Sequence, residues 1–202
     1  MKTNKQKIQL LTAYALLAAL VIVLQTFVAI PLGPFTVTLT LVPIMIGAIL
    51  YGAPCGCFLG TVFGIVVAIQ VVTGAMGPAS YQMFEMLPAI TMILCVFKGA
   101  AAGAVSGLIY RPFRKGEKKL LGTILSAVAC PIVNTGIFVL GLALFYGKLV
   151  SVWAVAEGYT SVFMFLILGM VGLNFVVEFA LNILLIPAVL RIIKAVKTAY
   201  SH

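Results

Sequence analysis

The chain has 202 residues, 63% hydrophobic and only 8% charged, with a net charge of +9. Soluble domains carry about 25% charged residues, and a soluble core of this size cannot hide so much apolar surface, so the composition argues against a soluble enzyme or binding domain. It argues equally against a nucleic-acid reader: eleven of the 13 basic residues fall in three short clusters that flank apolar runs, the pattern that orients helices in a bilayer.

The clusters are Lys2, Lys5 and Lys7; Arg111, Arg114, Lys115, Lys118 and Lys119; and Arg191, Lys194 and Lys197. No charge lies between Lys7 and Glu85. A spanning helix needs about 20 apolar residues. Six runs approach that length, at approximately 8–30, 36–53, 55–73, 86–110, 120–146 and 159–190, and they form one integral membrane domain over 1–202.

The first run follows the basic N-terminus and lacks an A-x-A site before a polar segment, so no cleavable signal is expected. It carries Ala15 and Ala19 at four-residue spacing. Pro31-Leu32-Gly33-Pro34 ends it, and Gly52-Ala53-Pro54 divides the second run from the third. Both of these runs are short. A re-entrant hairpin with four full crossings would satisfy the same charges as six full crossings. The third run has Gly56, Gly60 and Gly64 on one helical face, and the fourth has Gly99, Gly103 and Gly107. Such stripes let helix backbones approach closely. Pro187 is expected to end or bend the last run. The excess of Lys and Arg places loop 111–119 and both termini in the cytosol, leaving only Lys148 in an outer loop. The fold class is therefore an all-α polytopic membrane protein with six transmembrane helices and cytosolic N and C termini, resident in the cell membrane.

Two ionisable residues interrupt the spans, Lys98 and Glu178. Each costs about 2.5–3.5 kcal/mol at a helix centre. Counted from the inner anchors Arg111 and Arg191, both sit about 20 Å above the cytosolic boundary. Asn134, Gln70 and Gln25 come out at about 22, 24 and 27 Å. Five helices thus place a polar residue in the outer half of a hydrocarbon core about 30 Å thick. Asn174, Glu178 and Asn182 follow i, i+4, i+8 and share one helical face, which should turn into the bundle or toward a cavity. The outer loops add Tyr81, Gln82 and Glu85, then Trp153, Glu157 and Tyr159. Aromatic surfaces beside a few convergent polar groups suit a small-molecule pocket. Lys98 and Glu178 would equally neutralise one another as a buried pair, and the aromatics would equally serve as interface anchors.

No G-x-x-x-x-G-K-[ST] loop, H-E-x-x-H or G-x-S-x-G motif occurs, Asp is absent, and the one His is His202. Nucleotide hydrolysis by this chain is not expected, nor is catalysis or a metal site. Cys55, Cys57, Cys95 and Cys130 read as small packing residues.

The segment Thr38–Pro54, continuing to Gly56, Gly60 and Gly64, resembles the second and third helices of the substrate-binding S components of energy-coupling factor (ECF) vitamin importers. Leu87-Pro88 followed by Lys98-Gly99 and Gly103, and the ending Glu178, Asn182, Pro187 and Arg191, are similar to later motifs of that family. The resemblance implies a six-helix subunit without enzymatic activity that captures a vitamin from outside. It implies no directly bound cofactor. A membrane coupling subunit and two cytosolic ATPases would be the partners, and those ATPases would consume the ATP. Ala15-Leu16-Leu17-Ala18-Ala19 matches the family's A-x-x-x-A motif for docking the coupling subunit. Lys98, Glu178, Asn134, Asn174, Asn182, Tyr81, Gln82, Glu85 and Trp153 are the expected substrate contacts. Many relatives carry Arg at the position of Lys98, and Lys offers a point charge in place of a fork. A carboxylate vitamin such as pantothenate fits Lys98; riboflavin and folate stay open. The alternative is a self-sufficient ion- or proton-coupled carrier built on Glu178.

Overall fold

The computed structural model describes residues 4–32, 35–114, 118–187 and 189–192, and the side chains of 29–38 and 170–175 lie outside that description. Helix α1 (Asn4–Phe27) leads into an antiparallel hairpin of β1 (Ala29–Leu32) and β2 (Phe35–Thr38), with Ala29 opposite Thr38 and Leu32 opposite Phe35. Then come α2 (Leu41–Tyr51), α3 (Ala53–Val72), α4 (Pro78–Met86) and α5 (Pro88–Tyr110). A 3-10 turn (Arg111–Phe113) precedes α6 (Lys119–Phe145) and α7 (Gly147–Ala156). The short α8 (Val162–Met164) runs through a π-helical stretch (Phe165–Gly172) into α9 (Leu173–Leu184).

Among the described residues, α1, α3, α6 and α5 with its 3-10 turn are long and apolar enough to cross a membrane. The second run departs from the sequence expectation. Residues 35–38 form a strand, and α2 has only 11 residues, a rise of about 16 Å and about half the hydrocarbon thickness. The reason is local: Thr36-Val37-Thr38 is a β-branched stretch that follows the sequence Pro31-Leu32-Gly33-Pro34, and such residues favour extended backbone. Two segments read from sequence as loops are also helical. These are α4 and α7, both amphipathic caps at the same end of the bundle as the hairpin. The last run is a helix with a π-helical interruption. Near its end a turn at Leu185 interrupts the helix, which resumes at Ile186: the Leu185 N–H still bonds the Leu181 carbonyl (3.1 Å) and the Val189 N–H the Leu185 carbonyl (2.9 Å), so Pro187, which lacks an N–H, does not end it.

Prolines start the helices. Pro54, Pro78 and Pro88 each occupy one of the first two positions of α3, α4 and α5, where no amide proton is required. Gly52, with φ of 95°, makes the reversal between α2 and α3 that a side chain would resist.

The two glycine stripes face one another. Gly56 meets the Gly103 carbonyl, Gly60 meets the Gly99 carbonyl, and Gly64 lies on Val96 and Cys95, so α3 and α5 run antiparallel with backbones in direct contact. A Cβ at Gly60 or Gly103 would land on the opposing carbonyl. Around this seam, one apolar cluster joins α1, α2, α3 and α5 through Val21, Ile44, Leu59 and Ala102. A second, on Leu142, Tyr146, Val150 and Phe165, joins α6 and α7 to the π-helical segment. Ser106 and Ser126 exchange bonds with each other's carbonyls (3.2 and 2.8 Å) and pin α5 to α6. The outside is equally apolar: Leu11 and Leu144 are each 74% exposed. Such surface on helices of this length belongs against lipid tails.

We expect Gly60→Val to abolish recovery of monodisperse protein, because the obstructing atom is backbone and cannot rotate away. Gly136→Ala should instead keep or raise the stability, by up to about 1 kcal/mol, since beyond the local helix backbone no atom of the described residues lies within 4 Å of the added methyl. Size-exclusion profiles and thermal unfolding of the two variants check the pair.

Candidate functional site

The expected polar layer exists but divides into two parts. Gln25 and Gln70 do not face a cavity together; they satisfy each other. Gln25 Nε2 donates to Gln70 Oε1 (2.8 Å), Gln70 Nε2 donates to the Gln25 carbonyl (3.1 Å), and Thr40 donates to Gln25 Oε1 (3.1 Å). This closed cluster ties α1 to α3 and to the start of α2, and Gln25 is almost wholly buried.

Lys98, Asn134 and Glu178 form the other part. They come from α5, α6 and α9 and line one cavity of about 70 Å³ together with Ser80 and Met83 of α4 and Thr91 of α5. Lys98 reaches it because the neighbouring Gly99 holds α5 against α3, turning the next face of the helix inward. The ammonium lies 4.4 Å from the centroid of the Phe138 ring, a cation–π contact worth about 0.5–2 kcal/mol. One Glu178 carboxylate oxygen and the Asn134 carbonyl oxygen are enclosed without hydrogen-bond partners. Among the described residues Lys98 and Glu178 close no direct ion pair, so the buried pair that the sequence allowed as an alternative is not formed. Two acceptors and one cation face a common space that the protein does not fill.

The remaining expected residues separate. Asn182 bonds its own helix, donating to the Glu178 carbonyl at 2.8 Å, and its other amide atom is enclosed without a partner. Asn174 lies in α9, but its side chain is outside the described residues. Trp153 Nε1 donates to Gln82 Oε1 at 2.8 Å and joins α7 to α4. Both line a second, outer groove of about 290 Å³ with Glu157 and Phe165. Tyr81 and Glu85 are exposed on α4. Ala15 and Ala19 are exposed on α1, whereas Tyr14, Leu17 and Ala18 between and beside them pack into the core.

Thr91 was not anticipated. Its hydroxyl contacts the Met83 and Leu87 carbonyls (2.9 and 2.8 Å) and the Tyr146 hydroxyl (2.7 Å), and Tyr146 also donates to the Leu87 carbonyl (3.3 Å). This node fixes the end of α4, hence the cavity roof, against the turn between α6 and α7. The only sequence signal was Thr91 three residues past the helix-starting Pro88, which is weak.

The fold and site define a helical membrane protein with a small enclosed polar cavity near one end of the bundle. The sequence model of the ECF transporter substrate-specific component matches residues 9–190, and the chain belongs to that family. Among solved structures it is similar to ThiT from Listeria monocytogenes, with 17% identity, a TM-score of 0.62, and coverage of 93% of this chain and 98% of that one. This likeness shows the fold. No curated protein matches the sequence significantly.

Two substitutions separate the parts of the polar layer. Gln25→Ala removes the partners of Gln70 Oε1 and of the Thr40 hydroxyl, leaving Gln70 only its bond to the residue-25 backbone carbonyl, and should destabilise the protein by about 1–3 kcal/mol without changing ligand affinity. Glu178→Gln removes an enclosed carboxylate oxygen that has no partner. It should raise the melting temperature of the ligand-free protein and weaken ligand binding by more than tenfold. Thermal unfolding and binding isotherms on both variants check this.

Proposed function

We propose that the chain is the substrate-capturing subunit of an ECF importer, with six crossings, both termini cytosolic, and a pocket that opens outward. The observation that carries this reading is the convergence of Lys98, Asn134 and Glu178 on one cavity with two enclosed acceptors unpartnered. Buried polar atoms are normally satisfied, so groups left open toward a cavity are groups awaiting a ligand. The ligand must bring an acceptor for Lys98 and donors for Glu178 and Asn134, with an apolar part against Phe138 and Met83. A carboxylate vitamin that also bears hydroxyl or amide N–H groups, as pantothenate does, meets all three demands.

A cavity of about 70 Å³ is far below the roughly 300–1,000 Å³ of ligand pockets. Capture therefore requires expansion. The roof is the part to move, because α4 contributes Ser80 and Met83 and is held from outside by the Gln82–Trp153 bond. Binding then needs no ATP in this chain. Ala15 and Ala19 present a small-residue patch that is exposed among the described residues, and a coupling subunit would dock there, with two cytosolic ATPases supplying the energy. A second reading, a proton-coupled carrier, draws on the same enclosed Glu178.

Three measurements test the reading. The lone chain in liposomes bearing only an ion gradient should not concentrate vitamin; concentrative uptake there would favour the carrier. Ala15→Trp with Ala19→Trp should spare ligand binding and block assembly with the coupling subunit, read by co-purification and transport. Lys98→Ala should weaken binding of a carboxylate vitamin by more than about tenfold, or about 1.4 kcal/mol, by calorimetry. The ligand itself is sought by native mass spectrometry of the purified protein.

A further inference from the structure

At the end of the bundle away from the candidate site, a cavity of about 420 Å³ opens between the last turn of α2, the start of α3 and the end of α5. Arg111 and Arg114 line it, beside Tyr51 and Tyr110, and among the described residues no acidic side chain does. Arg114 spends one N–H on the Leu50 carbonyl at 3.0 Å, which fixes its guanidinium at the rim. A guanidinium has five N–H donors, so most remain. Arg111 is exposed, and its side chain makes no hydrogen bond among the described residues. The turn Gly52-Ala53-Pro54 adds the first residues of the 20-residue α3 to the wall, beside the last turns of α2 and α5, whose carbonyl ends the arginines also face.

The position is as informative as the charge. Both arginines directly follow the 23-residue α5, the level at which a spanning helix leaves the hydrocarbon. The tyrosines suit the same boundary. Leu108, also in the lining, is 52% exposed, so the recess continues onto lipid-facing surface. Helix-end neutralisation accounts for the single Arg114–Leu50 bond. It leaves Arg111 as a second guanidinium on the same recess, without a side-chain hydrogen bond among the described residues.

We propose that this recess binds the phosphate of an anionic phospholipid headgroup, held between Arg111 and Arg114, with the glycerol and upper acyl carbons along Leu108. Two planar guanidiniums grip phosphate oxygens with charge-assisted bonds, and the anionic inner leaflet would supply the lipid. The inference rests on membrane insertion and is independent of which vitamin the outer pocket takes.

The test is native mass spectrometry of the full chain released from nanodiscs of phosphatidylcholine with a minor fraction of phosphatidylglycerol. The wild type should retain phosphatidylglycerol at least fivefold over its bulk ratio. Arg111→Gln with Arg114→Gln should abolish the enrichment, while Arg111→Lys with Arg114→Lys keeps part of it. If the double Gln variant does not fold, Arg111→Gln alone should still reduce enrichment at least twofold. Equal retention of the two lipids by the wild type overturns the proposal, as does enrichment that survives in folded Gln variants. Inorganic phosphate is the control: thermal stabilisation by phosphate equal to that by phosphatidylglycerol would assign a free anion instead. Loss of coupling-subunit assembly in Arg111→Glu with Arg114→Glu, in pure phosphatidylcholine and without any lipid enrichment in the wild type, would assign an acidic protein surface.

Discussion

The contact on which the structure depends is backbone against backbone. At Gly56 and Gly103, and again at Gly60 and Gly99, α3 and α5 touch with no side chain between them. In a bilayer the hydrophobic effect does not drive helices together, and close packing of small residues supplies the attraction instead. The seam sets the rotation of α5, and that rotation decides which residues face inward. Lys98 is adjacent to Gly99, so a shift of the seam by one residue would carry the cation about 100° around the helix and away from Phe138 and Glu178. The binding geometry is in this sense a consequence of packing on the opposite face.

Much of this was readable from sequence for a physical reason: lipid tolerates few exceptions. A charge inside a span, a run of glycines at four-residue spacing and a basic cluster at a helix end are each costly or informative enough to stand out. Lys98, Asn134 and Glu178 were marked by depth alone and are found on one cavity. Depth could not tell them from Gln25 and Gln70, which lie at similar height and bond each other. Height along a helix is a one-dimensional quantity, and partnership depends on azimuth and on which helices are neighbours. The hairpin at 29–38 and the short caps α4 and α7 were missed for a related reason. Residues 36–38 were counted into an apolar span although β-branched residues there set an extended conformation, whereas α4 and α7 are too short to span and were read as loops between spans. Thr91 was illegible because threonine is ordinary in helices, and its meaning comes from Tyr146, 55 residues away.

The site combines groups that differ in readiness. Lys98 already has a partial partner in the face of Phe138, so exchanging it for a ligand's anion sacrifices little. Glu178 and Asn134 have enclosed oxygens without any partner, and a ligand donor would relieve that deficit. Discrimination should therefore be sharper on the donor side of the ligand than on the anionic side, because an analogue lacking a donor leaves a buried acceptor exposed to the full penalty. Lys98 points the same way, since a single ammonium imposes less angular demand on an anion than a guanidinium fork does.

The glycine seam also divides the molecule mechanically. Two helices with interlocked backbones have no soft degree of freedom between them, so α3 and α5 act as one stiff plate. Any increase in cavity volume must come from the walls that face the plate: α4 above, α6 across, and α9 beyond. Those walls contain the irregularities, with Pro131 inside α6 and a π-helical stretch leading into α9. Compliance and rigidity are thus sorted to opposite sides of the pocket, much as a valve has a fixed seat and a yielding leaf.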